Sequence, residues 1–251
     1  MRRALVLAAL LFAFPAQAAE LRMITGGATL EVEEALAEDF TRETGIAVVF
    51  TTGTAGQVRD RVLAGEPADV VAASAAVLAA LEQAGAVRPG SAAVLGRTGI
   101  GVAVREGAPR PAIATAAEFR AAILAARSIV YMDPASGASS GIAMARTLRE
   151  LGIADQVAGK TLLLTGGYTA EKVVSGEAGI ALQNISELIA VPGAVLVGPL
   201  PPELQTYTTY SAGIAAASPN QDAARAFIEF LTRTESAARW RAAGIEPGAG
   251  N

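Results

Sequence analysis

Four times along the chain, a short apolar segment ends in a loop of small residues, and a helical pattern begins directly after it. These loops contain glycine with threonine, serine or alanine, and they span residues 26–29, 52–56, 136–141 and 166–169. Strands that alternate with helices favour a parallel sheet covered by helices. Ligands of such sheets bind beyond the carboxyl ends of the strands. We therefore predict an α/β fold in which the four loops face one cleft.

The third loop shows the pattern most clearly. Residues 128–132 form a β-branched and aromatic run, Pro134 ends it, and helical spacing resumes after Gly141. The first turn of a helix has unpaired N–H groups and a partial positive charge, and both suit an anion. The four loops hold almost no charged residues. The predicted pocket thus offers N–H groups and hydroxyls to a compact anion, without ammonium or guanidinium groups.

The same loop permits a second interpretation. Residues 137–141 match G-x-S-x-G, the nucleophile elbow that joins a strand to a helix in many hydrolases. A nucleophilic Ser139 would need a base, which is usually histidine. The chain has no histidine, and its lysines are Lys160 and Lys172. A secreted serine hydrolase that uses Ser139 and a lysine is therefore the alternative function.

Local signals also predict where some helices and strands begin. Capping boxes are expected at Thr54 with Gln57, at Thr115 with Glu118 and at Ser218 with Gln221. Residues 97–105 alternate glycine with β-branched residues and predict a strand.

Composition excludes several classes of function. The chain has no cysteine, so disulfides, thiolate metal sites and thiol catalysis are excluded. Without histidine as well, zinc and copper sites are not expected, and we predict neither a metal nor a cofactor. The net charge is −4 and no basic patch is visible, which argues against nucleic acid as a partner. We expect a binding protein, not an enzyme.

The first 18 residues predict an export signal. Arg2 and Arg3 precede an apolar run over residues 4–14, Pro15 ends the run, and a small-x-small cleavage pattern covers residues 16–18. The run is too short to span a bilayer, which takes about 20 residues. We predict cleavage near Ala18 or Ala19, a periplasmic location, and no membrane-embedded segment.

Several stretches match a known family: residues 24–28, 64–70, 133–134, 140–142 and 176–178. In these the chain resembles periplasmic solute-binding proteins of ABC transporters, and among them most of all the molybdate-binding proteins. The resemblance implies a type II periplasmic binding protein, in which each lobe is a mixed, mainly parallel sheet flanked by helices. It also implies an inner-membrane ABC permease as partner, and we expect a monomer.

The resemblance also implies a division of the chain. One lobe would hold residues 19–96 plus 207–251, and the other residues 97–206. Hinge strands at residues 97–104 and 207–215 would join the lobes.

The predicted ligand contacts come from this resemblance combined with the loop pattern. In the family, one serine in the first loop and one in the second bind molybdate, whereas the matching positions here hold Ala28 and Ala55. We therefore expect backbone N–H groups at the alanines, hydroxyls from threonine and serine, and orientation by Tyr168 and Asn184. The predicted contacts are Ala28, Thr29, Thr54, Ala55, Ser139, Ser140, Tyr168 and Asn184.

Two features of the function stay open at this stage. The ligand is expected to be a molybdate- or tungstate-like oxyanion or a small organic carboxylate. A ligand-sensing subunit of a membrane sensor is an alternative to transport, since both would bind the ligand in the same way.

Overall fold

A computed structural model describes residues 20–248 of the chain. The predicted export signal, residues 1–18, lies outside the described residues, and so do residues 249–251 at the carboxyl end. No helix within residues 20–248 is both long enough and apolar enough to cross a membrane.

Strands and helices alternate along most of the chain. The strands are β1 Glu20–Gly26, β2 Ala47–Gly53, β3 Val70–Ser74, β4 Ala93–Arg105, β5 Ile129–Met132, β6 Thr161–Leu164, β7 Ile180–Asn184, β8 Ala194–Pro199, β9 Tyr207–Ile214 and β10 Glu246–Pro247. The helices are α1 Gly27–Thr44, α2 Ala55–Leu63, α3 Ala75–Gln83, α4 Ala116–Ala125, α5 Ser139–Glu150, α6 Ala154–Ala158, α7 Thr169–Val174, α8 Ile185–Ile189, α9 Gln221–Thr232 and α10 Ala237–Ala242. Two 3-10 turns cover Pro134–Ser136 and Thr234–Ser236.

The sheet order is β2-β1-β3-β9-β4-β7-β5-β6, with β8 and β10 paired to β4. Strands β1, β2 and β3 are parallel to one another, as are β5, β6 and β7. Strand β4 joins the two groups, since residues 93–99 pair with β9 and residues 100–105 pair with β7 and β8. The predicted fold, two mixed and mainly parallel sheets joined by a crossing strand, is confirmed.

Strands form at both predicted hinge segments, and their role as a hinge stays a prediction. Strand β4 crosses between the groups and is four residues longer at its start than the sequence indicated. Strand β9 pairs with β3 and with the first part of β4, so it belongs to the first group and only begins at the crossing, where Tyr207 pairs with Gly99.

The hydrophobic core is divided in the same way. Buried clusters of the first lobe contain residues up to Leu95 and from Ala212 onward, with Phe40, Phe227 and Trp240 among the largest side chains. Buried clusters of the second lobe use residues between 100 and 200. Each lobe therefore has its own core. The boundaries at residues 96/97 and 206/207 stay a prediction that is compatible with this division.

Most of the predicted helix caps form. The Thr54–Gln57 and Thr115–Glu118 boxes are both present. The Ser218–Gln221 box is wrong, because α9 begins at Gln221 and its cap residue is Asn220.

A buried aspartate explains the failed cap. The Ser218 hydroxyl donates to Asp69 Oδ1 at 2.6 Å, and Asp69 also accepts from the Arg22 backbone N–H at 2.8 Å and from the Asn220 amide at 3.2 Å. Asp69 is buried and belongs to one of the family-like stretches, residues 64–70. This stretch thus joins β1, β3 and the start of α9, and it is structural.

Candidate functional site

The four predicted loops line one cavity of about 240 Å³ between the lobes. Residues 26–28 and 52–55 come from the first lobe, and residues 138–140 and 166–168 come from the second. The loops meet there because each follows a parallel strand, and the carboxyl ends of the parallel strands of both lobes face the cleft. The prediction that the loops share one cleft is confirmed.

Backbone contacts close the cleft on one side. The Gly56 N–H donates to the Gly137 carbonyl at 3.3 Å, and the Thr54 hydroxyl donates to the Ser136 carbonyl at 2.5 Å. The Gln57 amide reaches the Thr165 carbonyl at 3.3 Å. A Cβ on Gly56 would lie only 2.8 Å from the Ser136 oxygen. The two lobes can approach this closely because glycine occupies the point of contact.

Seven of the eight predicted ligand contacts line the cavity: Ala28, Thr54, Ala55, Ser139, Ser140, Tyr168 and Asn184. Helices α1, α2 and α5 begin at the cavity, so N–H groups of their first turns face it, although in α2 the Gly56 N–H is bonded to Gly137 and the Gln57 N–H to Thr54. The Thr54 hydroxyl is already used, because it caps α2 and bonds the opposite lobe.

The eighth residue, Thr29, lies elsewhere. It is buried, and its hydroxyl lies 3.4 Å from both Thr25 Oγ1 and the Gly26 carbonyl. Thr29 follows Ala28 in α1, and this one-residue step along the helix turns its side chain away from the cavity and towards β1. A local reading of the loop could not distinguish these two neighbours.

Sequence reasoning missed Tyr210, which lies in β9 and lines the cavity from behind. Its hydroxyl lies 3.1 Å from Ser139 Oγ and accepts from Asn184 Nδ2, also at 3.1 Å. Burial is the main reason why the pKa of Tyr210 is raised, so the phenol keeps its proton. The Asn184 amide nitrogen donates to Tyr210, and between Tyr210 and Ser139 either hydroxyl can be the donor. Where Tyr210 donates, the Ser139 hydrogen can point into the cavity.

Sequence reasoning also missed Glu187, the third residue of the short helix α8. Glu187 lines the cavity although it is only 8% exposed. Its Oε2 accepts from Asn184 Nδ2 at 2.7 Å. Burial raises the pKa of Glu187 to about 7 from its ordinary 4.5, and the hydrogen bond from Asn184 offsets part of that rise.

The charge of the pocket has one feature that the loop pattern did not predict. No lysine or arginine of the described chain lines the cavity, in line with the prediction of a pocket without ammonium or guanidinium groups. The carboxyl groups of Glu171 and Glu187 line it as well. Both lie in helices beyond the four small-residue loops, so the loops carry no local signal for them.

A second buried carboxyl group lies behind the first loop. Glu33 is fully buried in α1, and the Thr25 hydroxyl donates to its Oε2 at 2.6 Å. Burial raises the pKa of Glu33 to about 7, and hydrogen bonds from Thr25 and Thr29 offset part of the rise. Glu33 is absent from the cavity wall, so it supports the loop from behind.

The structure gives the hydrolase alternative no base. Lys160 donates to the carbonyls of Leu124 and Ala126 at 2.6 and 2.7 Å, and Lys172 pairs with Glu177 at 3.1 Å. The partner of the Ser139 hydroxyl is the Tyr210 phenol.

Gly141, the last glycine of the G-x-S-x-G match, has a packing role. A Cβ on Gly141 would lie 2.2 Å from the Met132 carbonyl, so the glycine lets α5 pack tightly on β5. Gly141 of the motif thus serves packing, and in the described part of the chain the Ser139 hydroxyl is bonded to Tyr210 while both lysines have other partners.

No metal centre is evident in the part of the chain that the structure describes. Within residues 20–248, no group of three or more histidine, cysteine, aspartate or glutamate residues could hold a metal ion.

Two α/β lobes whose strand ends open on a shared, anion-compatible cleft define the class of periplasmic binding proteins. The chain belongs to the bacterial extracellular solute-binding protein family, whose sequence profile matches residues 21–246. A curated relative is the aconitate isomerase of a Pseudomonas species, which is 32% identical over 233 residues, covering 90% of this chain and 87% of that protein.

Solved structures show the same fold. The periplasmic molybdate-binding protein of Azotobacter vinelandii matches with a TM-score of 0.76 and 20% identity, covering 91% of this chain and 100% of that one. A sulfate-binding protein of Mycobacterium tuberculosis matches with a TM-score of 0.73 and 19% identity, covering 91% of this chain and 87% of that one. A tungstate-binding protein of Desulfovibrio alaskensis matches with a TM-score of 0.64 and 16% identity, covering 92% and 100%. The predicted resemblance to molybdate-binding-like type II periplasmic binding proteins is confirmed at the level of the fold.

Proposed function

We propose that the protein captures a small anion between its lobes and delivers it to an inner-membrane ABC permease. The observation that carries this proposal is the convergence of the N-termini of α1, α2 and α5 on one cavity whose lining residues include no cation. Unpaired N–H groups and helix dipoles suit an anion at such a place. In this proposal the protein acts in the periplasm, as a monomer and without a cofactor.

The affinity that such a site could reach is physiologically useful. A hydrogen bond to a charged group contributes about 1.5–3 kcal/mol, and micromolar binding requires about 8 kcal/mol. A handful of N–H groups, together with the Ser139 hydroxyl, would supply that much. Closure of the lobes would exclude water and strengthen each of these bonds.

The cavity of about 240 Å³ has room for an organic di- or tricarboxylate as well as for a tetrahedral oxyanion. When ionised, the carboxyl group of Glu187 would repel a compact dianion placed against it.

A thermal-shift screen of the chain without residues 1–18 tests this function. The panel would hold molybdate, tungstate, sulfate, phosphate, and di- and tricarboxylates. An anion at 100 times its Kd stabilises the folded protein by about 2.7 kcal/mol, which raises the Tm by about 5–10 °C for a chain of this size. If no anion raises the Tm, the proposal is wrong.

A matched pair of variants ties any shift to the cleft. Ala55 and Ala75 are the first residues of the nine-residue helices α2 and α3, and both are half-buried, but only Ala55 lines the cavity. Ala55→Asp places a negative charge where the anion would bind, so it should abolish the shift. Ala75→Asp adds the same charge at an equivalent helix position and should leave the shift unchanged.

Pull-down of a permease or of a sensor from membranes would separate transport from sensing.

A second candidate function is the isomerisation of a polycarboxylate such as aconitate. The Glu187 carboxyl group on the cavity wall favours it, since a carboxyl group with a pKa of about 7 can exchange a proton with a bound ligand. The relative named aconitate isomerase supports the same candidate. Incubation with cis-aconitate, followed by NMR detection of trans-aconitate, tests it, and Ala55→Asp serves as the control with a blocked cleft.

A further inference from the structure

One carboxylate oxygen in the cavity wall has no hydrogen-bond partner and is not sealed from the cavity. Glu187 Oε2 is held by Asn184, whereas Oε1 accepts no hydrogen bond within the described structure. Oε1 lies beside Gly27, only 3.0 Å from the position that a Cβ would take there. Gly27 is the first residue of α1, so Oε1 lies where the unpaired N–H groups of that helix begin.

This position places Glu187 against the ligand. A carboxylate bound at the first turn of α1 would have its neighbouring carbon next to Glu187 Oε1. A second negative group at this place weakens the binding of any anion, and no lysine or arginine among the lining residues offsets it. The Glu187 carboxyl group thus lies where it can exchange a proton with a bound ligand.

We propose that Glu187 moves a proton between two carbons of a bound unsaturated carboxylate. Glu187 Oε1 takes the proton from a methylene carbon next to a carboxylate, and the C–H electron pair forms a new double bond to the adjacent carbon. The electron pair of the original double bond then takes the proton from Glu187 at the far carbon. This step rests on the second candidate function.

The step balances without any other reactant. One C–H bond breaks and one forms, and the O–H bond on Glu187 exists only between these events. Composition and oxidation state of the ligand do not change. The substrate class is a di- or tricarboxylate with a methylene group between a carboxylate and a carbon–carbon double bond.

The surrounding groups suit the charge that develops. When the proton leaves carbon, negative charge spreads onto the oxygens of the adjacent carboxylate. Those oxygens would face the N–H groups of α1 and the Ser139 hydroxyl, which are donors fixed before the reaction. A pKa of about 7 also gives Glu187 a basic and an acidic form at neutral pH, as a group that takes and returns a proton requires.

The experiment compares the wild type with Glu187→Gln, using cis-aconitate in D2O. Proton NMR follows the loss of signal at the exchanging carbons and the appearance of the trans isomer, and the thermal shift with cis-aconitate follows binding. The wild type should incorporate deuterium and form the trans isomer. Glu187→Gln should slow both by about 100-fold or more and still show a thermal shift. Glu38→Gln, which changes an exposed carboxylate of α1, should behave as the wild type.

Other outcomes separate this inference from the functions on which it rests. Binding of cis-aconitate without deuterium incorporation by the wild type would overturn the proton transfer and leave anion capture intact. Incorporation at the wild-type rate in Glu187→Gln would overturn the role of Glu187 and leave the isomerase. If cis-aconitate gives no thermal shift while another anion does, both isomerisation and this inference fail, and capture stands.

Discussion

Replacing Gly56 by alanine tests whether ligand binding requires the closed cleft. Gly56 is the second residue of α2 and meets Gly137 of the opposite lobe. A Cβ at Gly56 would lie 2.8 Å from the Ser136 oxygen and 2.9 Å from the Gly137 Cα. These distances are shorter than van der Waals contact, and both atoms belong to backbone that cannot rotate away. The lobes would have to separate to accommodate the methyl group.

The effect should fall on ligand binding and leave folding intact. Overpacking of this kind costs about 1–3 kcal/mol, and here the cost applies to the closed form alone. Every 1.4 kcal/mol changes an equilibrium tenfold, so the Kd should rise by about 5- to 150-fold. In the open form, alanine favours the helix over glycine by about 0.5–1 kcal/mol. The unliganded variant should therefore be as stable as the wild type or more so.

Titration calorimetry with the anion that gives the largest thermal shift measures the Kd, and urea unfolding without ligand measures the stability. Gly159→Ala is the matched control, because no atom lies within 4 Å of a Cβ built there. If Gly56→Ala binds as tightly as the wild type, closure at this contact is not part of binding. A loss of affinity in Gly159→Ala as large as in Gly56→Ala would refute the same reasoning.

Three further predictions concern buried polar groups. Glu33 binds its proton below about pH 7 in the folded chain but only below 4.5 when unfolded, so its stabilising contribution is complete below pH 4.5 and is lost as the pH rises through 7. Glu33→Gln should therefore gain about 2–3 kcal/mol of unfolding free energy relative to the wild type between pH 5 and pH 8, measured with urea. If the difference in unfolding free energy between variant and wild type is the same at pH 5 and pH 8, this prediction is wrong. Asp69→Ala leaves three donors unpaired and should lower the unfolding free energy by about 3 kcal/mol, whereas Asp60→Ala, which changes an exposed aspartate, should have no effect. Tyr210→Phe removes the hydroxyl between Ser139 and Asn184, and it should weaken anion binding by about tenfold in calorimetry with little change in Tm.

The sequence predicted the parts of the site that depend on neighbouring residues. Each small-residue loop lies between an apolar run and a helical pattern, so its position at a strand end and a helix start follows from local spacing. The Thr54 and Thr115 caps formed because every group they need lies within three residues. Ser218 had the same local pattern, but Asp69, which is 149 residues away, takes its hydroxyl.

The tertiary structure decided which groups share the cavity. Glu187 and Tyr210 come from a short helix and a strand that carry no loop signal, and only the packing of β7 beside β4, and of β4 beside β9, brings them to Ser139. The raised pKa of Glu187 has the same origin, because burial by distant segments causes it. The chain by itself thus determined the two-lobed α/β fold and its four anion-compatible loops, since hydrophobic period and helix capping act over a few residues. The acidic group opposite those loops, and the chemistry it makes possible, arise only from contacts between segments far apart in sequence.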